Sequence, residues 1–238
     1  MGAEEAILSG RIFQVHDRVA ISKRILAHGE EAMEAITWME YVGIVAFALS
    51  GAQVAVQRKM DFFGVLVLAA ITAIGGGMIR DCFIYQSPPT CLTRPVFWWL
   101  ILLSSLCIFI WKDRPLRTMI WVLCDAIGLA AFVVGTGVVM LQEGTRLGYF
   151  LFGTLITGVG GGMIRDVLAH RIPVILRKDI YAVAGLIGAI VLWCSWNVWP
   201  QSASIAVSIC LIVGVRMGSL KWHIQMPVAG GRDEQTRD

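Results

Sequence analysis

The heptapeptide Gly-Gly-Gly-Met-Ile-Arg-Asp occurs twice in this chain, at residues 75–81 and at residues 160–166. An offset of 85 residues separates the two copies. The same offset relates other identical or similar residues: Glu40 and Asp125, Gly43 and Gly128, Ala46 and Ala131, Phe47 and Phe132, Pro88 and Pro173. Self-similarity at a fixed offset indicates a duplicated unit, so the chain is constrained to fold as two related halves.

The composition predicts that this duplicated chain lies in a membrane. Hydrophobic residues make up 57% of the sequence and charged residues 16%, and the apolar residues form runs instead of stripes. The formal net charge is only +3, and the basic residues lie mostly between the apolar runs. These features are typical of an integral membrane protein and give no support to a nucleic-acid partner.

Several apolar runs approach the ~20 residues that a helix needs to cross a bilayer. They are residues 38–57, 62–84, 96–111, 117–141, 147–169, 179–199 and 203–220. The first three form repeat 1 (38–112), the next three form repeat 2 (117–199), and the last lies outside the duplication. Polar segments flank them, as an N-terminal extension at 1–37 and a C-terminal tail at 221–238.

Three spans in each repeat is an odd number, so the second repeat must enter the membrane from the side opposite to the first. The predicted fold is an all-α membrane protein with two inverted three-helix repeats and one extra helix, an arrangement typical of transport proteins. Most basic residues lie on the side that holds the loops between spans 1 and 2, 3 and 4, and 5 and 6, together with the C-terminus. The positive-inside rule then predicts a cytoplasmic C-terminus and an N-terminus outside.

The glycine runs are expected to lie within the hydrocarbon, because the residues from Phe62 to Ile74 span roughly 20 Å of helix. Each glycine costs about 1 kcal/mol relative to alanine in a helix. We expect the runs to break spans 2 and 5 and to expose backbone groups that a wet cavity satisfies. Close helix packing through the small residues at 73–77 and 158–162 is the alternative.

A predicted ion path combines these glycines with hydroxyl groups on the same or neighbouring spans. Its candidate residues are Gly75, Gly76, Gly77, Gly160, Gly161, Gly162, Thr72, Thr157, Ser50 and Thr136.

Charged residues follow each glycine run, and a charge at such depth is expensive unless it is paired or wet. The candidates are Glu40, Arg80 and Asp81 in repeat 1, and Asp125, Arg165 and Asp166 in repeat 2. The topology places Glu40 and Arg80 in the outer half of the membrane, and Asp125 and Arg165 in the inner half. We expect each acid to lie close to its arginine, either as a structural salt bridge or as part of an ion path.

No enzymatic chemistry is indicated. The glycine runs lack the lysine and hydroxyl residues of a phosphate-binding loop and the last glycine of a dinucleotide fingerprint. The four histidines have no metal-ligand spacing, and no catalytic nucleophile motif occurs, so we expect neither a metal nor a cofactor. Cys82 and Cys91 are nine residues apart, and a disulfide between them stays open.

The doubled Gly-Gly-Gly-x-x-Arg-Asp motif, with an acid-x-x-Gly motif opening spans 1 and 4, resembles the bacterial UPF0126 membrane family. That family is similar to the trimeric intracellular cation (TRIC) channels. The resemblance covers about residues 38–220. It implies a homotrimer in the bacterial inner membrane, in contact with lipids, with one pore per subunit between the two glycine-broken helices. It also implies K⁺ and Na⁺ as the permeant ions.

Two function classes remain open, with a third behind them. A cation channel needs a continuous wet path lined by carbonyl and hydroxyl oxygens. A secondary transporter of glycine or another small amino acid needs an occluded site for a zwitterion, which helix ends would suit. A scaffold without transport would explain glycines that serve packing but not the inverted duplication.

Overall fold

The computed structural model describes residues 34, 36–82, 89–111, 118–177 and 180–222. The chain divides into a short unit, Met1–Trp38, and a large one, Met39–Asp238, which contains the helix bundle. The predicted extension at 1–37 and the tail at 221–238 lie almost entirely outside the described residues, and residues 112–117 between the third and fourth predicted spans lie outside them as well.

The described residues are mainly helical. The helices are α1 (Ile36–Gln57), α2 (Phe62–Arg80), α3 (Thr90–Thr93), α4 (Pro95–Ile110), α5 (Thr118–Gln142), α6 (Leu147–Leu168), α7 (Val174–Arg177), α8 (Tyr181–Ser195) and α9 (Gln201–Lys221). Thus α1 to α4 correspond to α5 to α8 in the duplication, and α9 is the extra helix.

Within the described part of the chain, five helices are long and apolar enough to cross a membrane: α1, α2, α5, α6 and α9. The other two predicted spans are also apolar helices, but α4 has 16 residues and α8 has 15. Pro95 begins α4 at a position where its missing N–H is not needed. The chain is therefore an all-α membrane protein.

Two elements were not predicted from the sequence. The helices α3 and α7 have four residues each and follow α2 and α6 at equivalent places in the two repeats. A single helical turn is too short to produce a hydrophobic period. In the sequence, the equivalent prolines Pro88 and Pro173 were the sign that marked these two places.

The helices α2 and α6 pack against each other and form the centre of the bundle, with α4 against α2 and with α5 and α8 against α6. The duplication is visible in reciprocal contacts. The rings of Phe47 and Phe132 are stacked, with centroids 5.4 Å apart. A Cβ on Gly128 would overlap the Phe47 ring, and one on Gly43 would lie 3.0 Å from Cε2 of Phe132. The two repeats therefore meet through equivalent residues.

The prediction that the glycine runs break spans 2 and 5 is wrong. The helix α2 continues through Gly75–Gly77 to Arg80, and α6 continues through Gly160–Gly162 to Leu168. The amide of Asp81 still donates to the carbonyls of Gly77 and Met78, within a π-helical turn at 81–82. Packing between the helices explains why the glycines are present without a break.

Candidate functional site

Gly76 and Gly161 form the point at which α2 and α6 cross. A Cβ on Gly76 would overlap the carbonyl oxygen of Thr157, and a Cβ on Gly161 would overlap that of Thr72. The absence of side chains therefore lets each backbone touch the other. This is the close-packing alternative that the spacing of small residues had left open.

The first glycines of the runs repeat this reciprocity. A Cβ on Gly75 would lie 3.1 Å from Cδ1 of Ile164, and a Cβ on Gly160 would lie 3.0 Å from Cδ1 of Ile79. The isoleucine of each copy thus covers the glycine of the other. Four of the six glycines predicted to line the ion path are therefore in close contact with the facing helix in this structure.

The third glycines have different surroundings. A Cβ on Gly77 would meet nothing within 4 Å, whereas one on Gly162 would lie 3.4 Å from the hydroxyl oxygen of Tyr181. Gly77 lines a cavity beside Glu40 and Arg80. The position of Gly77 therefore combines free space with proximity to buried charges.

The predicted hydroxyl groups do not share one environment. The Oγ1 of Thr72 donates to the carbonyl of Leu68 at 2.6 Å, and that of Thr157 donates to the carbonyl of Gly153 at 2.7 Å. Both hydroxyls are thus satisfied within their own helices. The buried Oγ1 of Thr136 has no hydrogen-bond partner among the described residues.

The first charged cluster, called the first triad, consists of Glu40, Arg80 and Asp81. The Nη2 of Arg80 lies 3.6 Å from Oε1 of Glu40, and its Nε donates to Oδ1 of Asp81 at 2.7 Å. Arg94 also donates to Oε2 of Glu40, at 3.3 Å. The predicted proximity of Glu40 and Arg80 is confirmed.

The second triad consists of Asp125, Arg165 and Asp166 and is more closely bonded. The Nη1 of Arg165 donates to Oδ1 of Asp125 and, at 2.7 Å, to Oγ of Ser50. Its Nε donates to Oδ1 of Asp166 at 2.9 Å, and Oδ2 of Asp166 accepts the amide of Val174 at 3.1 Å. The predicted proximity of Asp125 and Arg165 is confirmed, and Ser50 joins the pair.

The two triads have the same chemistry. Each places two carboxylates around one buried guanidinium, and the arginines are only 6% and 5% exposed. Charges at this depth are tolerated because they are paired and hydrogen-bonded. Each triad holds two carboxylates for one guanidinium, so its three side chains together have a formal charge of −1.

A cavity borders each triad. The first cavity has a volume of about 20 Å³, close to the space that one water needs, and it is lined by Glu40, Gly77, Arg80, Asp81, Cys91 and Phe132, among others. The second cavity has a volume of about 150 Å³ and is lined by Ser50, Gln53, Trp121, Asp125, Arg171 and Arg216, among others. Arg165 also lines the second cavity.

Sequence reasoning missed two residues at the second cavity. Arg216 of α9 is buried, and its Cζ lies 4.9 Å from the centre of the Tyr181 ring. Arg171 follows α6 and donates through Nη2 to Oε1 of Gln57 at 2.9 Å. Both arginines are among the basic residues from which the positive-inside rule predicted the topology. The available sign for Arg216 was a lone charge within an apolar run.

Cys82 and Cys91 are both free thiols in the structure, the first exposed and the second buried. Burial raises the pKa of the Cys91 thiol, and the negative charge of Asp81 raises it further. The disulfide that the sequence left open is therefore not formed in this structure.

Comparison with protein families links the chain to membrane transport. The model of the glycine transporter family matches residues 37–113 and 122–197, more than half of the chain. The chain is 38% identical to the UPF0126 inner membrane protein YadS of Escherichia coli over 198 residues, which are 81% of this chain and 95% of YadS. A UPF0126 membrane protein of Vibrio cholerae is also 38% identical over 198 residues, 79% of this chain and 80% of that protein.

Solved structures of cation channels have the same fold. One such structure, which concerns the structural basis for conductance through TRIC cation channels, is 32% identical to this chain in sequence. The two structures have a TM-score of 0.74, and the match covers 83% of this chain and 98% of the other. The TRIC trimeric intracellular cation channel orthologue from Rhodobacter sphaeroides is 28% identical, with a TM-score of 0.75, over 79% of this chain and 98% of that one.

Proposed function

We propose that this chain, which belongs to the glycine transporter family and to the UPF0126 membrane proteins, is a passive channel for K⁺ and Na⁺. One observation carries this proposal. Two triads of the same chemistry border two cavities, and α2 and α6, which supply the arginines of both triads, cross at Gly76 and Gly161. A path between the cavities thus has carboxylates of a triad near each end.

The proposed path runs from the first cavity, between α2 and α6, to the second cavity. In this structure the crossing is closed, so conduction requires the two helices to separate there. The carbonyl oxygens of Thr72 and Thr157 face the opposing glycines. On separation these carbonyls become ligands for a partly dehydrated cation, as carbonyl oxygens do in selectivity filters.

The likeness to TRIC channels supports this proposal and extends it to assembly. One of the similar structures is named a trimeric intracellular cation channel orthologue. We therefore propose a homotrimer surrounded by lipid, in which each subunit has its own path. The short helices α4 and α8 complete seven spans in this arrangement.

The proposed location is a bacterial inner membrane, in keeping with the name of the similar protein YadS. Among the described residues, Arg58, Lys59, Arg171 and Lys221 lie at the ends of α1, α6 and α9 that are assigned to one side. This side is assigned to the cytoplasm by the positive-inside rule. The second triad then faces the cytoplasm and the first faces outward.

A transporter of glycine or another small amino acid is the second candidate, because the matching family model carries that name. Proteoliposomes separate the two functions. A channel lets K⁺ equilibrate across the membrane at a rate that grows with voltage, and it does not accumulate glycine. Saturable uptake of labelled glycine driven by an ion gradient, without K⁺ flux, would instead establish the transporter.

A further inference from the structure

The two cavities differ in charge, although their triads are equivalent. Among the described residues that line the first cavity, two carboxylates accompany one arginine, Arg80. Those that line the second cavity include one carboxylate, Asp125, and three arginines, Arg165, Arg171 and Arg216. Three arginines exceed two carboxylates even when Asp166, which is bonded to Arg165, is counted, so the second cavity has an excess of positive charge.

Arg171 is the most accessible of these arginines, since it is only partly buried. Burial and the neighbouring positive charge of Arg58 both lower the pKa of Arg171, so its guanidinium is held in an environment that is unfavourable to its charge. Arg58 itself donates to the carbonyl of His170 at 3.3 Å, which fixes it beside Arg171. A negatively charged ligand would relieve this repulsion between the arginines.

Neutral donors accompany the positive charges. The indole Nε1 of Trp121 is buried and has no hydrogen-bond partner among the described residues, although Trp121 lines this cavity. The amide side chains of Gln53 and Gln57 line it as well. A buried donor without a partner is unusual in folded proteins and indicates that a ligand or water completes the site.

The volume of the second cavity limits the size of a ligand that can bind there. About 150 Å³ is several times the ~10–15 Å³ that one water needs. This space admits a small oxyanion together with part of its hydration. Guanidinium groups recognise oxyanions through paired N–H donors, and an indole N–H adds a single donor.

We propose that the second cavity binds a small oxyanion of the phosphate or carboxylate class, held by Arg171 with Arg216 and the indole of Trp121. The bound anion lowers the positive potential that a cation meets at this end of the path. This effect on current rests on the proposed channel function, whereas the binding itself does not.

Inorganic phosphate is the probe that tests this site. Thermal unfolding of the full-length protein in detergent is followed while phosphate is increased at constant ionic strength, with chloride as the balancing anion. We expect a saturable rise in the unfolding temperature. Loss of one charged donor in Arg171→Gln should weaken the apparent affinity about tenfold or more. Trp121→Phe, which removes only the indole N–H, should weaken it by a smaller factor.

Lys221→Gln is the matched control, because it removes one positive charge from the same end of the bundle but outside the cavity lining. This variant should bind phosphate as the wild type does. Equal responses of Arg171→Gln and the wild type would overturn the proposal, and so would an unfolding temperature that stays constant as phosphate replaces chloride. Direct titration by calorimetry gives a readout that stays valid if Arg171→Gln is less stable.

A soluble anion and a lipid headgroup can both supply such an oxyanion. Titration in nanodiscs of phosphatidylcholine, with and without phosphatidic acid, distinguishes them. Competition by phosphatidic acid identifies a headgroup as the natural occupant, and undiminished phosphate binding identifies a soluble anion. Absence of phosphate binding in phosphatidylcholine nanodiscs contradicts the site. None of these outcomes depends on whether the protein conducts ions.

Discussion

Gly76 and Gly161 lie against each other at the crossing of α2 and α6. A Cβ on either glycine would come within 3.5–3.7 Å of the amide nitrogen of the other and would overlap a carbonyl of the facing helix. The two residues are equivalent in the duplication, so each repeat has a glycine at the position where the backbone of the other repeat comes close. The crossing is a contact between backbones and joins the two repeats at the centre of the bundle.

Substitution of Gly76 by alanine should destabilise the protein. The added methyl group overlaps the carbonyl oxygen of Thr157, and overpacking typically costs about 1–3 kcal/mol. Gly77→Ala is the matched control in the same run, because its Cβ meets nothing within 4 Å. The control should be neutral or stabilising by up to about 1 kcal/mol, owing to the better helix propensity of alanine.

Thermal unfolding of the two variants in detergent checks this difference. Gly161→Ala should match Gly76→Ala, since it occupies the equivalent position. Equal stability of Gly76→Ala and Gly77→Ala would show that the helices do not approach as closely as the structure indicates.

Arg165→Ala should destabilise the protein strongly, by about 3–5 kcal/mol, because it leaves Asp125 and Asp166 charged in a buried site. The double variant Asp125→Ala with Arg165→Ala should lose less than Arg165→Ala alone, since one stranded carboxylate is then removed. A double-mutant cycle measures this coupling.

The first triad provides the comparison for that cycle. Glu40 lies 3.6 Å from Arg80 and is also bonded by Arg94, so the coupling between Glu40 and Arg80 should be weaker. Strictly additive losses in the second triad would contradict its description as a coupled unit.

Cys82 and Cys91 should react with maleimide at different rates. The thiol of Cys91 is buried and its pKa is raised by burial and by Asp81, so little thiolate is present near neutral pH. Cys82 is exposed and should react readily. Labelling is measured in variants that retain only one of the two cysteines.

The rate for Cys91 should rise only when the pH exceeds the usual range of a thiol pKa. Complete unfolding in detergent should remove the difference between the two cysteines. Rapid labelling of Cys91 in the folded protein at neutral pH would contradict its burial against Asp81.

The orientation of the repeats predicts opposite labelling of two exposed positions. Glu143 follows α5 at the end assigned to the outside, and Lys59 follows α1 at the end assigned to the cytoplasm. In a cysteine-free background, an impermeant thiol reagent added to whole cells should label Glu143→Cys. Lys59→Cys should be labelled only after the membrane is opened. Labelling of both from outside would exclude the inverted arrangement.

Most of the helical architecture could be predicted from the sequence because hydrophobic runs and the repeat offset are direct signals. The pairs Glu40 with Arg80 and Asp125 with Arg165 followed from symmetry and from the cost of an isolated charge in a membrane. These inferences need no knowledge of how the helices pack.

The role of the glycine runs could not be decided from the sequence. A helix break and a backbone contact both require residues without a Cβ, and only the facing helix decides between them. Thr157 and Thr72 supply the facing carbonyls, more than 80 residues away in sequence from the glycines they meet. Arg216 was missed for a related reason, since α9 lies outside the duplication and its partner in space was not implied by the offset.

Single-channel recording of the purified protein in a planar bilayer tests the central claim most directly. Symmetric KCl should give unitary current steps that reverse at zero voltage and follow the K⁺ gradient when one is imposed. Gly77→Leu should reduce or abolish these steps, because the side chain fills the first cavity without entering the crossing of α2 and α6. Gly148→Leu, at another uncrowded glycine position but outside the described cavity linings, should conduct as the wild type does. Protein that gives no steps in KCl yet takes up glycine saturably, or steps that Gly77→Leu leaves unchanged, would contradict a cation path between the two triads.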